Sequence, residues 1–328
     1  MTSIRPGRAI GPGNHMGTRM ETRNIGSLAV SVVGLGCNNF GQRVDAAGAA
    51  SVVDAALAAG INFFDTADKY GGLRSEEYLG AALGARRSEV IVATKFGLPL
   101  GPGMPGGGSP AYVRRAVEAS LRRLNTEWID LYQLHVPDPD TPVADTLGVL
   151  GELVREGKVR EIGCSKFSAG QLAEAQSAVA AGAPRFVSTQ EEYSLLRRGA
   201  EAALLPECAR LGVGFLPFFP LASGLLTGKY GRDTPSPGGP RFGPDGITRQ
   251  LYSEENLARV HELAQVARDS GMTLLELAVS WLLTRDEVAS VIAGAMSAEQ
   301  VRTNAAAYRG RLSAETLARI DTIVPPAT

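Results

Sequence analysis

The sequence predicts a (β/α)8 barrel. Three observations lead there. From about residue 32 onward, short apolar runs alternate with stretches of helical period through about eight βα units. The apolar runs are nearly continuous, as in strands covered on both faces. No shift of composition divides one unit from the next. A doubly wound sheet shares this alternation. It would carry Gly-x-Gly-x-x-Gly between its first strand and helix, and Gly34-Leu35-Gly36-Cys37-Asn38-Asn39 lacks the third glycine. A barrel places its active site at the C-terminal ends of its strands.

Residues 1–20 are polar, rich in Gly, Arg and Pro, and without period. They predict a disordered leader, which leaves 21–328 for a single barrel domain. Thr22–Ile25 and Leu28–Val33 flank Gly26-Ser27 and predict a hairpin, although Val32–Gly36 alternatively begins the main sheet. Helix Ala46–Ala59, strand Ile61–Phe64, helix Ser75–Leu83 and strand Val90–Thr94 follow, with Ser75 as N-cap and Glu76 and Glu77 in the first turn. Helix Pro110–Leu124, strand Ile129–Leu134, helix Val143–Glu156 and strand Val159–Gly163 continue the pattern. Then come helix Ala169–Ala180, strand Phe186–Gln190, helix Ala200–Leu211 and strand Val213–Pro217. Helices Glu254–Ser270 and Leu274–Thr284 are separated by Gly271, a C-terminal stop signal. Strand Val288–Ala293 and helices Ala298–Ala306 and Ala314–Val324 complete the chain. Two Gly/Pro-rich loops, Gly97–Pro110 and Gly231–Gly246, follow strands and are expected to overhang the active face. They read either as plain surface loops or as lids that order over a ligand.

The chain has 328 residues, 44% of them hydrophobic and 20% charged, which suffices for a large core. A formal net charge of -1 offers no electrostatic footprint for nucleic acid or acidic membranes. No apolar run approaches the roughly 18–20 residues of a membrane span, and the first residues lack the apolar core of a signal peptide. Cys37, Cys164 and Cys208 show no Cys-x-x-Cys spacing, so neither a disulfide framework nor a zinc site is expected, and a reducing cytoplasm fits.

The chemistry gathers at strand ends. Asp65 closes Ile61–Phe64, and Tyr70 lies five residues on. Lys95 closes Val90–Thr94, and His135 closes Ile129–Leu134. An ammonium beside a phenol favours the phenolate and is expected to lower its pKa from about 10. Asp65 can hold Lys95 charged, and His135 can hydrogen-bond the same reacting oxygen. Such a set protonates an oxygen on which charge develops, as when a carbonyl becomes an alcohol. Taken singly, each residue is more simply a cap or a packed polar group. Four on successive strand ends of one face weaken that reading. Only five of the 33 basic residues are Lys (Lys69, Lys95, Lys158, Lys166, Lys229), so a retained ammonium at 95 is consistent with a specific need. The remaining histidines, His15 in the leader and His261 on a helix, form no metal site. Hydride chemistry without a metal calls for an organic carrier, usually a nicotinamide.

These residues carry a resemblance. Gly34-Leu35-Gly36, Asn62-Phe63-Phe64-Asp65-Thr66-Ala67 with Tyr70-Gly71, Ala93-Thr94-Lys95 and Asp130-Leu131-Tyr132-Gln133-Leu134-His135 are joined by three later runs. Those are Gly157–Gly163 with Ser165, Gln190-Glu191-Glu192-Tyr193-Ser194, and Pro220–Lys229. From about residue 22 to residue 324 the chain resembles the aldo-keto reductase superfamily. The resemblance implies a (β/α)8 barrel closed below by the hairpin, and NADP(H) extended across the strand ends. It implies Tyr70 as general acid, tuned by Lys95 and Asp65, with His135 orienting the carbonyl of a small-molecule substrate. Ser165 and Gln190 would hold the nicotinamide carboxamide, with Asp65, Cys37 and Asn38 among the cofactor contacts. Phe218, Pro220, Leu221, Ala222, Ser223, Gly224 and Leu225 would wrap the pyrophosphate. The segment Gly294–Asn304 resembles the adenosine-phosphate loop, with Gly294, Ser297, Gln300 and Asn304 as contacts, and Lys229 and Arg241 would add charge from the opposite side. Gln300 stands where many members have arginine, and Arg302 is expected on the solvated face. Tyr193 is left without a role.

Lys166 stands where many members have asparagine, and a basic residue there is similar to the potassium-channel β-subunit branch. Asn38 and Asn39 stand where aromatic residues are frequent in that branch, so a polar pocket wall is expected. Ala293 stands where proline is common. The function implied is cytoplasmic NADPH-dependent reduction of an aldehyde or ketone. The alternative is an NADP(H)-binding sensor or regulatory subunit with slow turnover.

Overall fold

The computed structural model describes residues 20–179, 181–229 and 249–327. The leader, except Met20, and the segment Gly231–Gly246 with Arg241 lie outside the described residues.

The chain opens with β1 (Thr22–Ile25) and β2 (Leu28–Ser31), an antiparallel hairpin turning at Gly26, whose φ of +54° suits glycine. The hairpin strand ends at Ser31, short of the expected Val33, and β3 (Val33–Gly36) then opens the main sheet, as the alternative reading of that stretch has it. Next come α1 (Ala46–Ala58), β4 (Phe63–Asp65), α2 (Arg74–Leu83), β5 (Ile91–Phe96) and α3 (Pro110–Leu124). They are followed by β6 (Ile129–Leu134), α4 (Val143–Arg155), β7 (Val159–Ser165), α5 (Ala169–Ser177) and β8 (Phe186–Glu192). The chain continues through α6 (Leu204–Leu211), β9 (Gly214–Phe218), α7 (Glu254–Asp269), α8 (Leu274–Leu282) and β10 (Val291–Gly294). It ends with α9 (Ala298–Ala305) and α10 (Ala314–Ile323).

The main sheet has eight parallel strands in the order β10-β3-β4-β5-β6-β7-β8-β9. Its two edges meet at Phe215, which donates its N–H to the Glu287 carbonyl at 2.7 Å and accepts from the Ala289 N–H at 3.0 Å. The result is a nearly closed barrel with helices between the strands. This use of Val288 and Ala289 explains why β10 starts at Val291 and not at Val288.

Two apolar layers hold the barrel. Between strands and helices runs a core from Val32 to Val324. Inside the barrel floor, Ile25, Leu28 and Val30 of the hairpin pack with Phe63, Leu131, Leu216 and Ile292. The hairpin therefore plugs the end opposite the active face, and Ser27 N–H donates to Glu161 Oε1 at 2.8 Å to pin its tip. No helix among the described residues is long and apolar enough to cross a membrane.

Local capping rules set most helix starts, as at Asp45, Ser168, Thr273 and Ser313. Helix α2 departs from its expected start. Its N-cap is Leu73, in a left-handed conformation, with no side-chain cap. Ser75 lies inside the helix, fully buried, and its hydroxyl donates to the Cys37 carbonyl and pairs with Thr66 Oγ1, both at 2.8 Å. A buried hydroxyl needs a tertiary partner, and that need overrides the local capping option. The expected start of α6 at Ala200 also shifts, because Gly199–Glu201 forms a separate 3-10 turn before Leu204.

Helices α2 and α3 approach closely at Gly80, where an added Cβ would run into the Leu124 carbonyl oxygen. Backbone on a packed helix cannot step aside as a side-chain tip can. Gly80→Ala is therefore expected to destabilise the fold by about 1–3 kcal/mol. Urea denaturation checks this, and a variant as stable as wild type would show that the helices separate freely.

Candidate active site

Three neighbouring strand ends build the site. Asp65 is the last residue of β4, Lys95 is the penultimate residue of β5, and His135 directly follows β6. Parallel register puts Asp65 beside Ala93 and Lys95 beside Gln133, so Lys95 stands two residues beyond Asp65's partner on the same strand face, and its long side chain turns back to reach Asp65. Backbone bonds fix the turn after β4: Asp68 N–H donates to the Lys95 carbonyl at 3.0 Å and Tyr70 N–H to the Ala67 carbonyl at 3.1 Å.

Lys95 is wholly buried, and its Nζ donates to Asp65 Oδ2 at 2.6 Å and to the Thr66 carbonyl at 2.9 Å. Asp65 Oδ1 accepts from the side-chain amides of Gln190 at 3.1 Å and Gln133 at 3.4 Å. The Tyr70 ring lies 5.3 Å from Lys95 Nζ and meets the His135 ring edge-on at 5.8 Å. The structure thus brings together all four groups expected from the sequence.

Their electrostatics differ from the sequence expectation in one respect. Burial by itself would depress the Lys95 ammonium, but Asp65 and the Tyr70 phenol raise its pKa and keep it charged. For Tyr70 the expected lowering is overturned. Burial raises its pKa above the ordinary phenol value, and Lys95 only partly opposes this. A desolvated phenolate is costlier than one neighbouring ammonium can offset, so Tyr70 rests as the neutral acid. For His135, burial, then Lys95, Lys166 and Lys69, lowers the pKa from 6.5 to about 2. It is therefore a neutral imidazole, and its buried Nδ1 has no hydrogen-bond partner.

A cleft of about 680 Å³ runs from these groups along the strand ends. Asp65, Tyr70, His135, Asn38, Ser165, Lys166 and Gln190 line its inner part. Phe218, Pro220, Leu221, Ser223 and Gly224 line its middle, and Lys229 also lines the cleft. Gly294, Ser297, Gln300 and Asn304 line its far end. Cys37, Ala222 and Leu225 are buried behind the wall and do not line the cleft. Ser165 Oγ donates to the Gln190 carbonyl at 2.9 Å, and Lys166 holds a left-handed backbone with its N–H on that same carbonyl. Ser297 caps α9 by accepting from the Gln300 N–H, while Gln300 Oε1 accepts from the Met296 N–H at 2.8 Å. Arg302 is exposed and away from the cleft, as expected. Tyr193 is a core residue whose hydroxyl donates to Glu201 at 2.7 Å.

Several groups here escaped the sequence reading. Gln133 had a usable signal, since it sits two residues before His135 and so shares its strand face. Arg43, Glu299 and Thr303 line the cleft with no sequence signature. Asp68, only 1% exposed, carries two carboxylate oxygens without hydrogen-bond partners, which no sequence pattern announces.

The middle of the cleft fits a phosphorylated dinucleotide. Phe219, Ala222, Ser223 and Gly224 all have positive φ, which folds the chain into a tight turn whose Ala222 and Gly224 N–H groups donate to the Phe219 and Leu221 carbonyls, both at 2.8 Å. Ser223 Oγ is buried there without a partner. Helix α9 points its N-terminus at the far end, and Lys166, Lys229 and Arg43 supply positive charge along the way.

The chain is similar to known proteins. The model of the aldo/keto reductase family matches residues 32–325. A probable voltage-gated potassium channel subunit beta of Arabidopsis thaliana is 33% identical over 87% of this chain and 90% of that relative. The L-glyceraldehyde 3-phosphate reductase of Escherichia coli K12 is 33% identical over 92% of each chain. The solved holo form of an aldo-keto reductase from Bacillus halodurans is 34% identical, with a TM-score of 0.77, covering 94% of this chain and 98% of that one.

Proposed function

The chain belongs to the aldo/keto reductase family of oxidoreductases, and from that premise we propose that it reduces an aldehyde or ketone to an alcohol at the expense of NADPH. The observation that carries this reading is the buried Lys95–Asp65 pair set beside a neutral Tyr70 and a neutral His135 at the inner end of the cleft.

Each residue has a separable part. His135, held neutral, donates its N–H to the carbonyl oxygen and fixes the carbonyl's orientation. The hydride for the carbonyl carbon would come from NADPH held along the cleft. Tyr70 gives its proton to the oxygen as negative charge develops there, forming the alcohol. The ammonium of Lys95 stabilises the phenolate left behind until solvent reprotonates it. Asp65 keeps Lys95 charged and aimed. Gln190 and Ser165 would hold the nicotinamide end, and the Phe218–Gly224 turn would receive the pyrophosphate.

The test is multiple-turnover oxidation of NADPH with a panel of aldehydes and ketones, for which sustained turnover is expected. The name of the Arabidopsis relative favours a second reading, a nucleotide-holding regulatory subunit. A single slow turnover with every carbonyl tried would select it.

Preference for NADPH rests on the far end of the cleft. Ser297, the α9 N-terminus and Lys229 are suited to a 2′-phosphate, and one or two charge-assisted bonds correspond to about 1–3 kcal/mol. Fluorescence titration with both reduced cofactors is expected to show tighter NADPH binding. Equal dissociation constants would mean that Gln300 marks a site built without that phosphate.

A further inference from the structure

Asp68 has no part in the proposed chemistry, yet it lies two residues before Tyr70 in a turn anchored to β5 by its own N–H. Its carboxyl is buried between the barrel and the helix layer. Facing it are Glu76 of α2, Arg123 and Tyr112 of α3, Lys95 of β5 and Tyr132 of β6, with Lys69 adjacent in the turn. Glu76 already takes the cation: its carboxylate accepts from Arg123 Nε and from Thr94 Oγ1, both at 2.6 Å. The Tyr132 hydroxyl is buried without a partner. The Lys69 backbone amide opposes the rise of the Asp68 pKa less than burial and Glu76 promote it, and neither carboxyl oxygen has a hydrogen-bond partner.

Two carboxyls thus share one guanidinium in an apolar layer. If Asp68 ionises as well, a second negative charge sits there without a hydrogen bond. The available relief is to swing the turn toward water, and Tyr70 is on that turn. We propose that Asp68 is a positioning residue that must be protonated for Tyr70 to stay at the reaction centre, so that carbonyl reduction falls as this carboxyl ionises. This rests on the reductase reading above.

The window follows from the burial of Asp68, which, with Glu76 beside it, pushes its pKa up from 3.8 to about 7. His135, near 2, and Tyr70, raised above the ordinary phenol value, titrate outside that window. The sign is that the group is neutral below neutrality and charged above it. Wild-type kcat, measured with saturating NADPH and carbonyl, is expected to fall roughly tenfold between about pH 6 and pH 9. Asp68→Asn keeps the shape and stays neutral. It is expected to hold the acid-side kcat across the range, with KM for the carbonyl little changed. Infrared titration of the wild-type protein should show a protonated carboxyl band that disappears over the same range and is absent from Asp68→Asn.

A flat wild-type profile overturns the proposal whether or not the variant folds. So do wild-type and variant profiles that superimpose. Absence of turnover by wild type at every pH instead overturns the reductase reading itself.

Discussion

Tyr70→Phe is expected to bind NADPH as wild type does while losing about 10²–10⁴-fold in the rate of carbonyl reduction. The substitution removes one oxygen and leaves the ring. The ring's edge contact with His135 and its approach to Lys95 therefore persist. In the proposed mechanism, what disappears is the proton donor, at the step where charge develops on the substrate oxygen. Single-turnover kinetics report that step directly, free of product release. Cofactor fluorescence on the same samples shows whether binding has survived. A variant within about threefold of wild type, with chemistry observed, would remove Tyr70 from the role of general acid.

The second large effect concerns the Lys95–Asp65 pair. Lys95→Met leaves a carboxylate 4% exposed, with two glutamine amides and no cation. Stripping one partner from a buried ion pair is expected to cost about 3–5 kcal/mol of stability. The double variant Asp65→Leu/Lys95→Met removes both charges and is expected to recover much of that loss, because the orphaned carboxylate is the main cost. Neither variant should reduce carbonyls at an appreciable rate, since both lack the ammonium that stabilises the phenolate. Urea denaturation of the two variants separates stability from chemistry. A single variant that loses less than about 1 kcal/mol would mean that the pair is not held as a charged pair.

How far the sequence could be read depended on the range of the forces involved. Strand and helix placement rests on hydrophobic period and capping residues, which are local, so α3 and β6 coincide with their expected bounds. The four strand-end groups were legible for the same reason: a strand's last residues point onto the barrel's active face once the fold class is known. Ser75 was misread because its hydroxyl found the Cys37 carbonyl, 38 residues away, in preference to its own helix. Cys37 stands in a cofactor-contact motif, yet the structure buries it behind the cleft wall.

The alternation of strands and helices, the hairpin ahead of them, and the residue types that meet at the strand ends are all written in the order of residues. These follow from periodicity and from the direction in which a parallel strand presents its terminus. The charge states come from packing instead. Whether Tyr70 rests as phenol or phenolate, whether His135 is neutral, and whether Asp68 carries a proton depend on how much water each group loses and which charges surround it. Those surroundings come from four or five separate elements, and desolvation is set by the whole packed layer, so no stretch of chain contains the answer.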